Sequence, residues 1–218
     1  MPSIRAIIFD FDGTFAPQTN RLHFLSFARA FERAGYKLTE RELAPLMGVP
    51  QDEIVRTLLP SSDEQEVRDI SAHKSAEYKK LIEHERIPKA NIRTAETLKK
   101  RGFKVAISSG SYRWAITKLL PAHLMNDLIT AESVHRPKPD PEILLKTAHD
   151  IHVHPEHCVY VGDSWRDCEA ARRADMFFVG VLADLTADEL VLAEPDMIID
   201  RVSELLKIFK KAPQEVDS

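Results

Sequence analysis

The chain has few of the features that mark secreted, membrane or nucleic-acid-binding proteins. Its 218 residues include only 2 cysteines, Cys158 and Cys168, without the spacing of a metal site or a disulfide framework. We expect two free buried thiols, which fit a reducing cytoplasm. No apolar run approaches the roughly 20 residues that cross a bilayer. With 30 Lys and Arg against 34 Asp and Glu, the net charge is -4 and no basic block stands out, so neither nucleic acid nor a membrane is expected as a partner.

The sequence does contain a series of short apolar runs. They are continuous rather than alternating, which is typical of parallel strands buried on both faces. The runs cover residues 4–9, 104–109, 127–131, 158–163 and 177–182, with a weaker one at 197–200. Helical patterns lie between most of them, at 91–102, 112–119, 140–150 and 165–174. This alternation predicts an α/β fold with a doubly wound, Rossmann-like parallel sheet.

A long helical segment interrupts that alternation after the first strand. Phe24, Phe27 and Phe31 share one helix face, and "LTERELAPL" opens with a capping-box pattern from Thr39 to Glu42. The segment is too long for an ordinary connection. We therefore predict a core of residues 1–15 and 90–218 with a small inserted helical domain at 16–89. Extra helices packed on the sheet edge are the alternative.

Two aspartates end the first apolar run, in "IIFDFDGTF" at residues 7–15. Asp10 and Asp12 lie two residues apart, so both side chains of an extended segment would point the same way. The carboxyl ends of strands are where open α/β sheets bind ligands. Two like charges repel there unless a cation or a shared proton relieves them, and oxygen ligands favour Mg²⁺. A local turn at Asp12-Gly13-Thr14 is the alternative that this motif alone leaves open.

A second acidic pair follows another strand, in "CVYVGDSWRD". Asp163 ends this strand as Asp10 ends the first, so the two carboxylates are predicted to bracket one metal ion. Asp167 falls in the first turn of the next helix, where a negative charge is favoured. Its role as a helix cap and its role as a metal ligand are equally open.

Candidate phosphate ligands follow two further segments. "AISSGSYR" ends a strand at Ser109 and Gly110, and a hydroxyl with exposed amides before a helix can bind phosphate. "HRPKPDPE" holds Lys138 between two prolines just before another helix, which restricts its orientation. Taken alone, each of these two segments is also consistent with a solvated turn.

Together these segments resemble the haloacid dehalogenase superfamily of aspartate-nucleophile hydrolases, over residues 1–15 and about 90–210. "DFDGT" is similar to the first motif, which implies Asp10 as nucleophile and Asp12 as general acid and base. Ser109 is similar to the second-motif hydroxyl residue, with Gly110 offering its amide. "GDSWRD" is similar to the fourth motif.

The resemblance places Lys138 as the third-motif lysine, in "KPDPEIL". Arg136 is the alternative, because "RPKPD" also fits the pattern of a basic residue followed by spaced prolines and an aspartate. Lys138 is preferred because its pattern continues into the helix and lies at the usual distance before Asp163.

The inserted segment resembles the first-type cap of the phosphoglycolate phosphatase and β-phosphoglucomutase-like branch. "LMGVPQDEI" within it is similar to the substrate loop of such caps, which makes Gly48 and Gln51 the candidate specificity residues. His23 and Arg113 are weaker candidates at the rim. After "DGT" the chain reads "FAPQTN", which departs from the family pattern at the hinge and affects the expected substrate rather than the core chemistry.

The resemblance implies a cytoplasmic, Mg²⁺-dependent phosphoric monoester hydrolase that works through an aspartyl-phosphate. Asp10, Asp163 and the backbone carbonyl of Asp12 would hold the metal, with Asp167 as a fourth candidate. The expected partner is a small-molecule phosphoester, and the expected state is a monomer or a homodimer. The alternatives are a sugar phosphomutase of the β-phosphoglucomutase type and a catalytically silent phosphate-binding regulatory protein. The presence of every motif aspartate argues against the silent protein.

Overall fold

The computed structural model describes residues 3–60, 63–124, 128–182 and 187–213. Its centre is a sheet of 6 parallel strands in the order β3-β2-β1-β4-β5-β6. The strands are β1 (Ala6–Phe9), β2 (Lys104–Ser108), β3 (Leu128–Ile129), β4 (Cys158–Gly162), β5 (Phe177–Val181) and β6 (Met197–Ile199). All six expected runs form strands, although Asp127, at the start of the expected third one, lies outside the described residues.

The α-helices of the described chain are α1 (Thr19–Arg33), α2 (Glu40–Leu43), α3 (Gln51–Leu58), α4 (Glu64–Ile82), α5 (Lys89–Lys100), α6 (Arg113–Leu119), α7 (Glu142–Asp150), α8 (Trp165–Arg173), α9 (Ala187–Leu192) and α10 (Leu205–Ile208). Helices that follow the long insertion cover both faces of the sheet, for example α5 on one face and α7 on the other. Alternate residues of β1 enter two separate apolar clusters: Ile7 and Phe9 pack on one face, and Ala6 and Ile8 pack on the other. This burial on both faces explains the continuous apolar runs, and the doubly wound α/β fold is confirmed.

The inserted helices α1 to α4 have an apolar cluster of their own. Phe27 and Phe31 of α1 pack there with Ile54 of α3 and with Val67 and Ile70 of α4. The predicted capping box of α2, between Thr39 and Glu42, is present. A separate core supports the predicted division into an inserted domain at 16–89 and a core of 1–15 and 90–218, which stays a prediction. Below, residues 16–89 are called the cap.

The two cysteines are free and buried, as expected. In the ranges that the structure describes, no helix combines the length and the apolar character needed to cross a membrane.

The sheet register brings the candidate residues to one edge. Phe9 is aligned with Ile107 of β2 on one side and with Val161 of β4 on the other. The residues that follow these strands therefore leave the sheet side by side. This places the two aspartate segments and the Ser109 turn at one carboxyl edge, under α1 and α4 of the cap.

Candidate active site

The Asp10 carboxylate lies at the centre of this edge and is only 6% exposed. Lys138 donates to Asp10 Oδ1 over 2.9 Å and to Asp167 Oδ1 over 2.6 Å. Burial works against the charge on Lys138, but Asp10 and Asp167 outweigh it and hold the pKa of Lys138 well above its usual value. The structure thus brings together the predicted nucleophile and the predicted basic residue, which stays charged.

Arg136, the alternative basic residue, also lines the cavity of Asp10 but pairs with other carboxylates. Its guanidinium is exposed and pairs with Asp140 and Glu142 at 3.2 and 3.3 Å. It is thus held on the surface beside the start of α7, whereas Lys138 is buried against Asp10. The geometry favours Lys138 as the phosphate ligand.

Asp163 is held by one donor that follows β1 and by another in α1, the first helix of the cap. Thr14 Oγ1 donates to its Oδ1 over 3.0 Å, and Asn20 Nδ2 donates to its Oδ2 over 2.9 Å. Gly13 passes so close that a Cβ there would lie 2.2 Å from Asn20 Nδ2 and 2.3 Å from Asp163 Oδ2. Its φ of +74° is also a conformation that favours glycine. The glycine of "DGT" therefore lets the backbone approach the second acidic residue.

Asp167 accepts hydrogen bonds on both carboxylate oxygens. Its Oδ1 receives Lys138 and the Tyr160 hydroxyl, and its Oδ2 receives the backbone and side chain of Ser164 at the start of α8. These bonds make it both the helix cap and the anchor of Lys138. Its role as a direct metal ligand stays a prediction.

The three buried carboxylates of Asp10, Asp163 and Asp167 form a set suited to a hard cation. Each offers an oxygen atom, and these atoms lie within 4.8 Å of one another. Burial raises the pKa of Asp10 well above its usual value, and the charges of Asp167, Asp163 and Asp12 add to this in opposition to Lys138. One lysine therefore does not balance the negative charge here. An all-oxygen donor set with surplus negative charge fits Mg²⁺.

Asp12 points to the cap side of this site. Ser111 donates to Asp12 Oδ2, and His23 Nε2 lies 3.3 Å from Asp12 Oδ1. Burial alone would raise the pKa of Asp12, but the contacts with His23 and Ser111 lower it to about 2. Asp12 is thus an ionised carboxylate with fixed donors on both oxygens.

Lys74 of α4 completes a chain that ends at Asp12. Its Nζ lies 3.1 Å from His23 Nδ1. An ammonium only donates, so Nδ1 accepts and the Nε2 proton faces Asp12. Burial, together with the charge on Lys74, lowers the pKa of His23, which keeps the imidazole neutral despite Asp12.

In the predicted phosphate-binding turn, Ser109 is held by hydrogen bonds and Gly110 faces open space. The Ser109 side chain is buried and accepts from the Ser111 amide over 3.1 Å, while its own amide donates to Ile129 over 3.1 Å. Gly110 is exposed, and a Cβ there would meet nothing within 4 Å. Ser109 and Gly110 line the same cavity as Asp10 and Asp12.

That cavity, of about 470 Å³, lies between the sheet edge and the cap. Gly48 and Gln51, the predicted specificity residues, both line it, and their role in specificity stays a prediction. The Gln51 amide, however, donates to the Ser71 carbonyl and to Ser75 Oγ of α4, at 2.9 and 3.1 Å. Its donors are therefore used to join α3 to α4, which weakens its case as a leaving-group contact.

The weaker rim candidates differ from each other. His23, a weaker candidate at the rim, lines the cavity and contacts Asp12. Arg113 instead donates from its guanidinium to the Leu128 carbonyl over 2.9 Å and lies outside the cavity lining.

The sequence pattern of the family described as haloacid dehalogenase-like hydrolase matches residues 7–181. The chain belongs to this family. This haloacid dehalogenase-like hydrolase is 27% identical to the pyrophosphatase PpaX of Anoxybacillus flavithermus, over 95% of this chain and 97% of the relative. It is also 27% identical to a phosphorylated carbohydrates phosphatase of Thermotoga maritima, over 95% and 99%. The predicted family and the expected phosphatase-type enzyme are confirmed.

A comparison with solved structures shows a shared fold. The crystal structure of a predicted phosphoglycolate phosphatase from Haemophilus somnus superposes with a TM-score of 0.83, at 22% identity, over 96% of this chain and 100% of that one.

Sequence reasoning missed Lys74 as a site residue. Ile70, Lys74, Tyr78 and Ile82 are all buried and recur every fourth position along α4. A lysine on the apolar face of an amphipathic helix was the signal that could have identified it.

Proposed function

We propose that this hydrolase is a Mg²⁺-dependent phosphatase that hydrolyses a small phosphomonoester through an aspartyl-phosphate on Asp10. The observation that carries the proposal is the buried Asp10 carboxylate, which contacts Lys138 and shares a cavity with Asp12. A nucleophile, a fixed cation and a second carboxylate thus surround one position for a phosphoryl group.

The carboxylates of Asp10 and Asp163 and the backbone carbonyl of Asp12 would hold Mg²⁺, with Asp167 as a further candidate. When bound, the ion supplies positive charge that lets an anionic nucleophile approach an anionic phosphoryl group. Thr14 and Asn20 fix the orientation of Asp163 for that role.

In the first step, an oxygen of Asp10 attacks phosphorus and the ester P–O bond breaks. Lys138, Ser109 and the Gly110 amide bind the phosphoryl oxygens, whose charge they offset in the transition state. Asp12 gives a proton to the leaving oxygen. Asp12 is ionised without substrate, but an incoming anionic phosphoryl group raises its pKa and lets it carry that proton.

In the second step, Asp12 takes a proton from water and the water oxygen attacks phosphorus. The bond between phosphorus and Asp10 breaks, which releases inorganic phosphate and restores both carboxylates. The Ser111 and His23 contacts keep Asp12 in place for both proton transfers.

A sugar phosphomutase is the alternative enzyme activity. A mutase must bind a second phosphate in the cap, and Met47 and Gln51 stand where basic residues are expected for that purpose. Sustained release of inorganic phosphate without an added bisphosphate activator separates the two activities. A cytoplasmic location and a monomeric or homodimeric state stay predictions.

The proposed activity is tested with phenyl phosphate as a generic substrate. Phosphate release is expected in Mg²⁺ and not after removal of the metal by EDTA, with recovery when Mg²⁺ is restored. Asp10→Asn, checked for folding by circular dichroism, is expected to release only traces. Full activity in a chelated sample or in folded Asp10→Asn would overturn the proposal.

A further inference from the structure

The cap places one buried cation inside the active-site cavity. Lys74 is only 6% exposed, and its Nζ lies 4.8 Å from the ring centre of Phe27 and 4.9 Å from that of Tyr78. Its hydrogen-bond partner is the neutral imidazole of His23. Within the described chain, no carboxylate lies at ion-pair distance from Lys74. A buried ammonium without an anionic partner is costly unless a ligand supplies the anion.

A second polar group beside Lys74 makes no direct hydrogen bond. Tyr78 lines the cavity, and its buried hydroxyl has no partner at hydrogen-bond geometry in the described part of the chain, although Asp12 is near enough to act on it. Tyr78 stacks on His23, with ring centres 4.3 Å apart. The phenol is therefore held beside the imidazole, next to Lys74, with a donor to offer. Two adjacent donors, neither of which makes a hydrogen bond to an anion, point to an anionic group of the substrate.

The position of Lys74 limits the size of that substrate. The imidazole of His23 lies between Lys74 and Asp12. Its Nδ1 is 3.1 Å from Lys74 Nζ, and its Nε2 is 3.3 Å from Asp12 Oδ1. Asp12 is the group proposed to protonate the leaving oxygen. An anion at Lys74 is therefore only a few bonds from the scissile oxygen.

The walls around Lys74 also disfavour a neutral sugar. The cap side of the cavity includes the apolar Phe27, Met47, Val49 and Ile54, while its polar Gln51 and Ser75 are already bonded to each other. Such walls offer little to the several hydroxyls of a carbohydrate, whereas one compact anion is matched by Lys74 and Tyr78.

We infer that Lys74 and Tyr78 form a leaving-group subsite that selects small phosphate compounds carrying a second oxyanion, either a carboxylate or another phosphoryl group. The inference rests on the proposed function for the position of the scissile bond. Lys74 is the main determinant and Tyr78 adds a neutral hydrogen bond.

Binding tests this subsite without turnover. In an Asp10→Asn background with Mg²⁺, calorimetry compares two matched ligands: the phosphate monoester of 2-hydroxyacetate and that of its amide. The acid is expected to bind at least about 10-fold more tightly, and Lys74→Met is expected to remove about 10- to 100-fold in affinity for the acid alone. Lys80→Met is the control, because Lys80 lies on the same helix but is exposed and pairs with Glu77.

Inorganic pyrophosphate in the same titration identifies the source of the anion. Loss of binding on Lys74→Met for the acid, for pyrophosphate or for both supports the subsite and says which oxyanion it takes. Lys74→Gln repeats the test if the Met variant does not fold.

Three results would overturn the inference. They are equal binding of acid and amide, an acid preference that survives Lys74→Met, and equal weakening of both ligands, which would mean that Lys74 only supports the fold. Phenyl phosphate hydrolysis by the enzyme with Asp10 intact tests the proposed function separately, because phenol carries no second anion.

Discussion

His23 Nε2 lies 3.3 Å from Asp12 Oδ1 and so joins the first helix of the cap to the carboxylate proposed for proton transfer. The contact couples cap position to catalysis. An opening of the cap would take the imidazole away from Asp12 and leave Ser111 as its other fixed donor. Closure over the substrate would therefore complete the acid–base group as well as exclude water.

Lys138→Ala is expected to lower kcat on phenyl phosphate by about 100-fold or more, because a fixed cation that offsets phosphoryl charge is lost. Arg136→Ala is the matched control and is expected to change kcat little, since Arg136 is exposed and bound to Asp140 and Glu142. Steady-state kinetics on both folded variants decide the matter. The reverse ranking would assign phosphate binding to Arg136.

Gly13→Ala is expected to reduce both stability and activity. A Cβ at Gly13 would meet Asn20 at 2.2 Å and Asp163 at 2.3 Å, in addition to the strain of a positive φ. Gly35→Ala isolates the strain, because Gly35 also has a positive φ but a Cβ there would meet nothing within 4 Å.

We expect Gly35→Ala to lower the free energy of unfolding by about 1 kcal/mol with activity unchanged. Gly13→Ala is expected to cost more and to weaken Mg²⁺ activation. Denaturant unfolding and Mg²⁺ titrations measure these effects, and equal behaviour of the two variants would contradict the close approach to Asp163.

The preference for a second oxyanion is expected to fade as the pH rises through about 8. Burial lowers the pKa of Lys74 to about 8, although Asp12 opposes this. The ammonium is present below that pH and is lost above it, so affinity for the second anion is held at low pH and lost at high pH. His23 and Tyr78 are the other titratable groups that face Lys74, and neutral forms of both are favoured by burial.

The measured quantity is the ratio of kcat/KM for the hydroxyacetate ester to that for its amide. Titrations of the shared catalytic groups cancel in this ratio. A ratio that stays flat between about pH 6.5 and 9.5 would contradict a role for the Lys74 charge.

Much of the fold could be predicted because local chemistry determines it. Strands buried on both faces require continuous apolar runs, and the residues after β1 and β4 must share one edge when the strands are adjacent and parallel. The position of Asp10 beside Asp163 follows from those two facts. The family resemblance of "DFDGT" and "GDSWRD" added the chemical roles.

The cap contacts could not be predicted because they depend on tertiary packing. His23 and Lys74 are 51 residues apart and meet only because α1 packs on α4. Gln51 lies in the segment predicted to contact the substrate, but its side-chain amide donates to the Ser71 carbonyl instead. Periodicity marks Lys74 as buried but does not say what it contacts.

The central claim, that Asp10 carries the phosphoryl group and Asp12 handles the protons, is tested most directly with Asp12→Asn and p-nitrophenyl phosphate. Nitrophenolate leaves without a proton, so the first step is expected to proceed, whereas the second step lacks its base. The variant should release a burst of about one nitrophenolate per enzyme and then slow by about 100-fold or more. After an acid quench, peptide mapping should find the phosphoryl group on Asp10. A phosphoryl group on another residue, or steady turnover by Asp12→Asn at the unmodified rate with no burst, would contradict the account.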